Sequence, residues 1–224
     1  MKNKKHIMLA SVGIGCMLAA MLVEYLNEGK QLAFKADIMQ NETKLLTSIA
    51  KIDRIRKDNI AKALSVIDRF NPEMPAELKH NIAREISDAA MKYENLDVDL
   101  ICATITHESA FTWNPQVVSP AGALGLMQVM PGTGEFLARI ADVDWTSPEE
   151  VLFDPVLNIR LGSRYLSSLI EMYAIDGGLA AYNGGGKRAE MWLALNRANG
   201  ILYEETQNYV PAVLSLYESF KQVN

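Results

Sequence analysis

Between Asn27 and Phe70 the chain has no proline and one glycine, Gly29, while Ile38, Leu45 and Ile52 recur seven residues apart. Ile49, Ile55, Ile60, Leu64 and Ile67 lie among them, and much of the rest is Lys, Arg, Asp and Glu. Nothing in that stretch breaks a helix, and apolar residues at that spacing return to one face. It reads as a long amphipathic helix: a stalk, a short coiled coil, or a helix packed on the domain C-terminal to it. The heptad lapses at Asn59, and "NPEMP", Asn71 to Pro75, ends the helix.

From Pro75 onward one helical pattern follows another. "AELKHNIAREISDAAMKY" is amphipathic, and "DVDLICATITHES" opens at an Asp cap. "WTSPEEVLF" carries Ser147 and Glu150 at capping-box spacing, with Pro148 at the first helical position. Asp154 and Pro155 repeat that start before "VLNIRLGSRYLSSLIEMY"; "KRAEMWLALNRA" and "ETQNYVPAVLSLYESF" follow. No clean alternating strand of five residues appears. The fold class is therefore mainly α, divided as an N-terminal segment 1–25, a helical stalk 26–71 and a helical domain 72–224.

The N-terminal segment reads "MKNKKH" and then seventeen apolar or small residues, Ile7 to Val23. A basic flank before such a run is an export signal, close to the minimum length of a membrane span. No small-x-small cleavage site closes it, so an uncleaved anchor is favoured over a cleaved signal. The positive flank then places everything after Val23 across the membrane. Cys16 invites a lipoprotein reading, but "MLAAMLV" continues after it and Gly13 stands three residues before it.

Charge is unevenly placed. Residues 1–70 hold 12 Lys and Arg against 7 Asp and Glu, a net of +5, and residues 71–224 hold 10 against 20, a net of −10. An acidic domain argues against nucleic acid as the partner. Two cysteines in segments as different as Cys16 and Cys102 make no disulfide framework.

Glu108 poses the chemical question. In "VDLICATITHES" it falls on the helix face of Ile101 and Ile105, where a carboxylate points toward the core. Burial there raises a carboxyl pKa and needs either an ion-pair partner or a function. "HE" at 107–108 opens like a zincin motif, but Phe111 occupies the place of its second His, and no metal site is expected. Ser109 lacks a G-x-S-x-G setting and Cys102 lacks an evident His partner, which disfavours a nucleophile triad. "SPAGALGLMQVMPGTG", Ser119 to Gly134, is a Gly-rich loop that lets backbone approach a ligand, with the Gln128 amide at its middle. In "LAAYNGGG", Leu179 to Gly186, a helix ends in a glycine run beside Tyr182 and Asn183. Each piece alone is also consistent with plain structure.

Together the pieces resemble the lytic transglycosylases of the soluble-lytic-transglycosylase (SLT) family, relatives of goose-type lysozyme. The family's Glu-Ser pair appears as Glu108-Ser109, its G-L-M-Q as Gly125 to Gln128, and its A-Y-N as Ala181 to Asn183; "ETQNYVPAVLSLY" is a softer fourth match. The likeness covers about residues 76–220. It departs at Gly134, at Gln207 and at "AYNGGG", where the family has A-Y-N-A-G-P. The resemblance implies a lysozyme-like helical domain that cuts peptidoglycan glycan strands without a cofactor. The N-terminal anchor lies outside the likeness, and by its own basic flank is expected to hold that domain single-pass at a bacterial inner membrane, facing the periplasm. The resemblance implies Glu108 as general acid and then base, with Ser109, Met127, Gln128, Tyr182 and Asn183 at the substrate: Gln128 and Tyr182 on the sugars, Met127 lining the cleft, Asn183 supporting Tyr182. Ser109 is also expected to hold structure near the acid. Membrane contact is expected through the N-terminal helix, and self-association or envelope-complex partners through the stalk. Two alternatives stay open: a hydrolytic muramidase, which a second carboxylate facing Glu108 would favour, and a tethered peptidoglycan-binding protein with a dead site.

Overall fold

The computed structural model describes the backbone of residues 2–222 and the side chains of residues 17–222 except Ala33. Among these residues there are eight helices, and the only β pairing is two isolated antiparallel bridges, Val118 with Leu124 and Leu124 with Val129. The helices are α1 (Lys2–Phe70), α2 (Ala76–Lys92), α3 (Val98–Glu108), α4 (Pro131–Ala141), α5 (Pro148–Leu152), α6 (Pro155–Gly184), α7 (Gly186–Ala194) and α8 (Glu204–Lys221).

The chain forms two compact units, one up to Arg54 and one from Ile55 onward. In the first, every described side chain of α1 is exposed. Thr43, Thr47 and Ser48 turn their hydroxyls back to carbonyls four residues earlier on the same helix. No helix among the described residues is long and apolar enough to cross a membrane. Most of the run that carries the anchor expectation, Ile7 to Cys16, has side chains outside the described residues.

The stalk expected over 26–71 therefore has two parts. Its last part, from Ile55, belongs to the second unit, where Ala63, Val66 and Ile67 are buried in the core. Lys62 Nζ lies 2.7 Å from Asp99 Oδ2 on α3, in a pair mostly withdrawn from solvent. Asn71 ends α1 by donating its backbone N–H to the Ile67 carbonyl.

The second unit is built around α3. That helix is apolar on nearly all sides, so it sits at the centre, and Val98 to Thr106 are all buried. The Asp97 carboxylate caps it, accepting from Leu100 N at 2.8 Å, as the Asp start predicted. The Thr104 and Thr106 hydroxyls survive burial by donating to the carbonyls of Leu100 and Cys102. Cys102 is a buried free thiol, and burial pushes its pKa up. Helices α2 and α8 pack on α3, and α6 packs on α2, α4, α5, α7 and α8.

Two elements differ from expectation. The Gly-rich loop ends earlier than Gly134, because Pro131 opens α4 at its first turn. Helix α6 runs past Tyr173 through a kink at Ala174 (φ 60°, ψ −179°) to the glycine run.

Candidate active site

Glu108 is the last residue of α3, and the turn after it is tightly specified. Ala110, Phe111 and Trp113 all hold left-handed backbone, with φ of 51°, 63° and 50°. Such conformations in non-glycine residues persist only when surrounding structure over-determines them. Here the clamp is Trp113, fully buried. Its indole Nε1 donates to Thr106 Oγ1 at 3.0 Å, and its backbone N–H donates to Ser109 Oγ at 3.1 Å. Ser109, expected to hold structure near the acid as well as to stand among the substrate residues, is fully buried and spends its hydroxyl on this turn. It holds the end of α3, and with it Glu108.

A second wall comes from the loop before α4. Gly125 turns at φ 77°, and a Cβ there would overlap the Leu152 carbonyl oxygen and the Asn158 side-chain amide. Asn158, buried on α6, ties this loop down with three hydrogen bonds. Its Oδ1 accepts from Met127 N at 2.8 Å, and its Nδ2 donates to the carbonyls of Leu124 and Leu152, each at 2.9 Å. Met127, expected to line the cleft, is fully buried instead; a Cβ on Gly162 of α6 would lie 2.6 Å from its sulfur. Gln128 is half-buried in left-handed backbone (φ 47°). Its Nε2 donates to the carbonyls of Val117 (3.1 Å) and Gly125 (2.8 Å), which leaves Oε1 as the amide atom without that duty.

The third wall is the end of α6. Tyr182 Oη donates to the Met127 carbonyl at 2.7 Å, joining α6 to the loop. Its ring lies 5.4 Å from that of Tyr165. Asn183, expected to support Tyr182, reaches the other way: its Oδ1 accepts from Thr206 Oγ1 at 2.7 Å, joining α6 to the first turn of α8.

Helix α8 supplies two residues that sequence reasoning did not single out. Tyr209 is buried, and its ring meets that of His107 edge-on at 4.8 Å. Its buried hydroxyl interacts with the Glu108 carboxyl without a hydrogen bond of ordinary geometry. Glu205 is exposed, and its charge reaches both Glu108 and His107. The carboxylates Glu135, Asp142 and Asp144 are exposed on the surface, Glu135 paired with Arg139 and Asp142 at the C-terminal cap of α4. The signal for Tyr209 and Glu205 was present in "ETQNYV". Nothing distinguished Asn158 except an amide set among apolar neighbours in "PVLNIRLG".

Electrostatics follow from this enclosure. Glu108 keeps part of its surface open, but the packed protein around its carboxyl pushes the pKa up to about 7. The Tyr209 hydroxyl acts in the opposite sense and Glu205 adds to the rise. Burial lowers the pKa of His107, keeping its ring neutral at pH 7. Tyr182 and Tyr209 are pushed well up by burial and then by the Glu108 charge. A carboxyl near 7 is populated in both forms at neutral pH, so one group can give a proton and take one back. Among the described residues no three His, Cys, Asp or Glu side chains gather as a metal site.

A family model described as "Transglycosylase SLT domain" matches residues 85–204. The soluble lytic murein transglycosylase of Escherichia coli (strain K12) is 36% identical over 128 residues, which are 53% of this chain and 19% of that protein. Membrane-bound lytic murein transglycosylase C of Shigella sonnei is 34% identical over 141 residues, 58% of this chain and 38% of that protein. Among solved structures, an inactive mutant of lytic transglycosylase Slt from Pseudomonas aeruginosa superposes with a TM-score of 0.55 at 32% identity. It covers 70% of this chain and 25% of that one. The 70-kDa soluble lytic transglycosylase bound to bulgecin A gives 0.54 at 30% identity, over 65% and 26% of the two chains. The matched region is thus a minor part of each of these larger proteins.

Proposed function

Because the chain belongs to the Transglycosylase SLT domain family, we propose that it is a peptidoglycan lytic transglycosylase with Glu108 as its single proton carrier. The observation that carries this reading is the carboxyl at the end of an apolar helix, raised to about 7 by enclosure. Protonated Glu108 donates to the bridging oxygen of the β-1,4 bond between N-acetylmuramic acid and N-acetylglucosamine as the bond to muramoyl C1 breaks. The muramoyl acetamido group stabilises the cationic C1. Ionised Glu108 then takes the proton of the muramoyl C6 hydroxyl, whose oxygen bonds to C1 and closes a 1,6-anhydro ring. Glu108 ends protonated, as it began, and no water is consumed. An attached hydroxyl has a large effective-molarity advantage over water.

Gln128 Oε1 and the Tyr182 ring face the sugars on this reading, while the buried Ser109 and Met127 and the part-buried Asn183–Thr206 contact hold the walls in register. The N-terminal run Ile7 to Val23 serves as a single-pass anchor, with the catalytic unit on the wall side. Support for the anchor is the basic flank and the length of the run, together with a relative named as membrane-bound. Membrane fractionation of the full chain, with and without residues 2–23, tests it; a protein that stays in the soluble fraction with the run intact overturns it.

Muropeptide mass spectrometry after digestion of purified sacculi tests the reaction. The expected products carry a 1,6-anhydro terminus, lighter by one water than hydrolysis products, with no new reducing ends. Mainly reducing muramic acid would mean hydrolysis, and Glu205 would then be the carboxylate to examine as its base.

A further inference from the structure

The turn that follows Glu108 is held by residues from outside the family segment. That segment is residues 85–204. Phe70, the last residue of α1, and Asn71 after it both precede it. The Phe70 ring stands 6.0 Å from the Phe111 ring at an interplanar angle of 54°, and Asn71 Nδ2 donates to the Trp113 carbonyl at 3.4 Å. Phe111 and Trp113 are two of the three left-handed residues of the turn. The bonds that Trp113 makes to Thr106 and Ser109 stay within residues 106–113, as does the bond from Phe111 N to the Thr106 carbonyl. They fix the shape of the turn. Phe70 and Asn71 fix its place against another element, which a strained backbone needs if it is to persist.

Phe70 is itself fixed. Phe220, buried near the end of α8, meets it edge-on at 6.2 Å, and the Arg69 guanidinium lies 5.3 Å from the centre of its ring. On the other side the Phe111 ring lies 6.4 Å from that of His107, which in turn meets Tyr209 at 4.8 Å. A run of five rings thus passes from the ends of α8 and α1 to the acid. It arrives at His107, next to Glu108 in the chain, and at Tyr209, whose hydroxyl acts on the Glu108 carboxyl. Rings at such separations prefer definite mutual angles, so the run carries orientation as well as apolar contact. Burial does not account for Phe111, which keeps 49% of its surface exposed on left-handed backbone. Its place between Phe70 and His107 does.

On the reading that Glu108 carries the proton, we propose that Phe70 and Asn71 are positioning residues for the reaction: they seat the turn so that the Glu108 carboxyl stays aimed at the bridging oxygen. A general acid works within hydrogen-bond reach of the atom it protonates, and small displacements of such a group are costly in rate. The end of α1 then serves the chemistry as well as the core, although it touches neither the substrate nor the acid itself.

The test is a double-mutant cycle on the purified full chain, with Phe70→Leu, Phe111→Leu and the two combined, cutting soluble uncrosslinked glycan strands across a range of pH. Leucine keeps the apolar contact and removes the ring. Each single substitution is expected to lower kcat about fivefold with KM unchanged, the order of one aromatic pair, and the combination to fall no further than either. Phe70→Tyr, which keeps the ring, recovers kcat. The alkaline fall of kcat/KM moves to lower pH in both leucine variants, because a looser turn admits water to a carboxyl whose pKa is held up by enclosure. Tyr209, Glu205, Tyr182 and His107, the titratable groups around that carboxyl, stay in place throughout. Additive losses, wild-type kcat in Phe111→Leu, or a fall in kcat that tracks melting temperature with the pH profile unmoved overturns the proposal. Phe111→Leu, at an exposed ring, decides the matter alone if Phe70→Leu does not fold. Glu108→Gln separates the two readings. If it abolishes cutting while the leucine variants match wild type, the positioning role alone is lost. If it still cuts while the leucine variants show the coupled loss, Glu108 is not the proton carrier and the end of α1 positions another group.

Discussion

The enclosure that suits Glu108 to the proposed chemistry is a cost to the fold. Its pKa stands at about 7 against an ordinary 4.5. Between those values the folded chain binds a proton that the unfolded chain has released, so stability from this group falls as pH rises through that window. Below about 4.5 the penalty is absent; above about 7 it is complete. Glu108→Gln therefore abolishes cleavage, by at least the 10²–10⁴-fold of one general acid–base transfer. It also raises thermal stability at pH 8 relative to wild type, by on the order of 2 kcal/mol once solvent at the open edge is allowed for. At pH 4 the two proteins melt together. A Gln variant that keeps a tenth of the activity, or melts below wild type at pH 8, removes Glu108 from its role. The neighbours set the pH profile. Tyr209 lowers the Glu108 pKa and Glu205 raises it, so Tyr209→Phe moves the alkaline fall of kcat/KM to higher pH and Glu205→Gln moves it to lower pH. Equal profiles in the two variants would mean that neither group acts on the acid.

At the scale of elements, the site is a junction of helix ends. Glu108 ends α3, Tyr182 and Asn183 end α6, and Glu205 and Thr206 begin α8. Helix ends are where side chains leave the regular ladder and where backbone groups need partners. The Gly-rich loop that completes the junction has almost no secondary structure of its own, and Asn158 holds it. Asn158→Ala would strand one backbone N–H and two carbonyls in the interior. That costs about 3 kcal/mol or more and loosens Met127 and Gln128, so kcat falls along with stability. Differential scanning calorimetry beside turnover measurements checks it; unchanged stability would show that the loop stands without Asn158. A different relief is available in α6. Ala174 carries a backbone that glycine adopts freely, so Ala174→Gly should raise stability by about 1 kcal/mol, strain relief outweighing the entropy glycine adds to the unfolded chain. A fall in melting temperature would show that the kink is unstrained.

For the whole molecule, the boundary of the second unit lies inside α1. Residues from Ile55 onward carry core side chains, Ala63, Val66 and Ile67, and the Lys62 partner of Asp99. A fragment beginning at residue 55 should fold cooperatively and cut sacculi. One beginning at residue 72 leaves Asp99 buried without its cation and opens the core above α3, and should be insoluble or molten. Circular dichroism melts of the two fragments decide it. A stable, active 72–224 fragment would show that the end of α1 is only an accessory.

Local rules were enough for much of this. The proline-free run, the Asp97 cap, the Pro148 and Pro155 starts and the apolar α3 are statements about neighbours in sequence, and caps and periodicity act over a few residues. The suspicion attached to Glu108 also came from local spacing, since an acid on an apolar face is legible without a fold. Motif likeness brought Gln128, Tyr182 and Asn183 to notice, but not what each would hold. Only tertiary structure decided that Met127 and Ser109 are buried, that Asn183 pairs with Thr206, and that Tyr209 and Glu205 stand near the acid. It also decided that Asn158 carries the loop and that Ile55 to Phe70 belong to the core. Those outcomes depend on which helices meet, over separations of twenty to a hundred residues. The height of the Glu108 pKa belongs with them, because desolvation is set by everything packed around a carboxyl and not by the residues beside it in the chain.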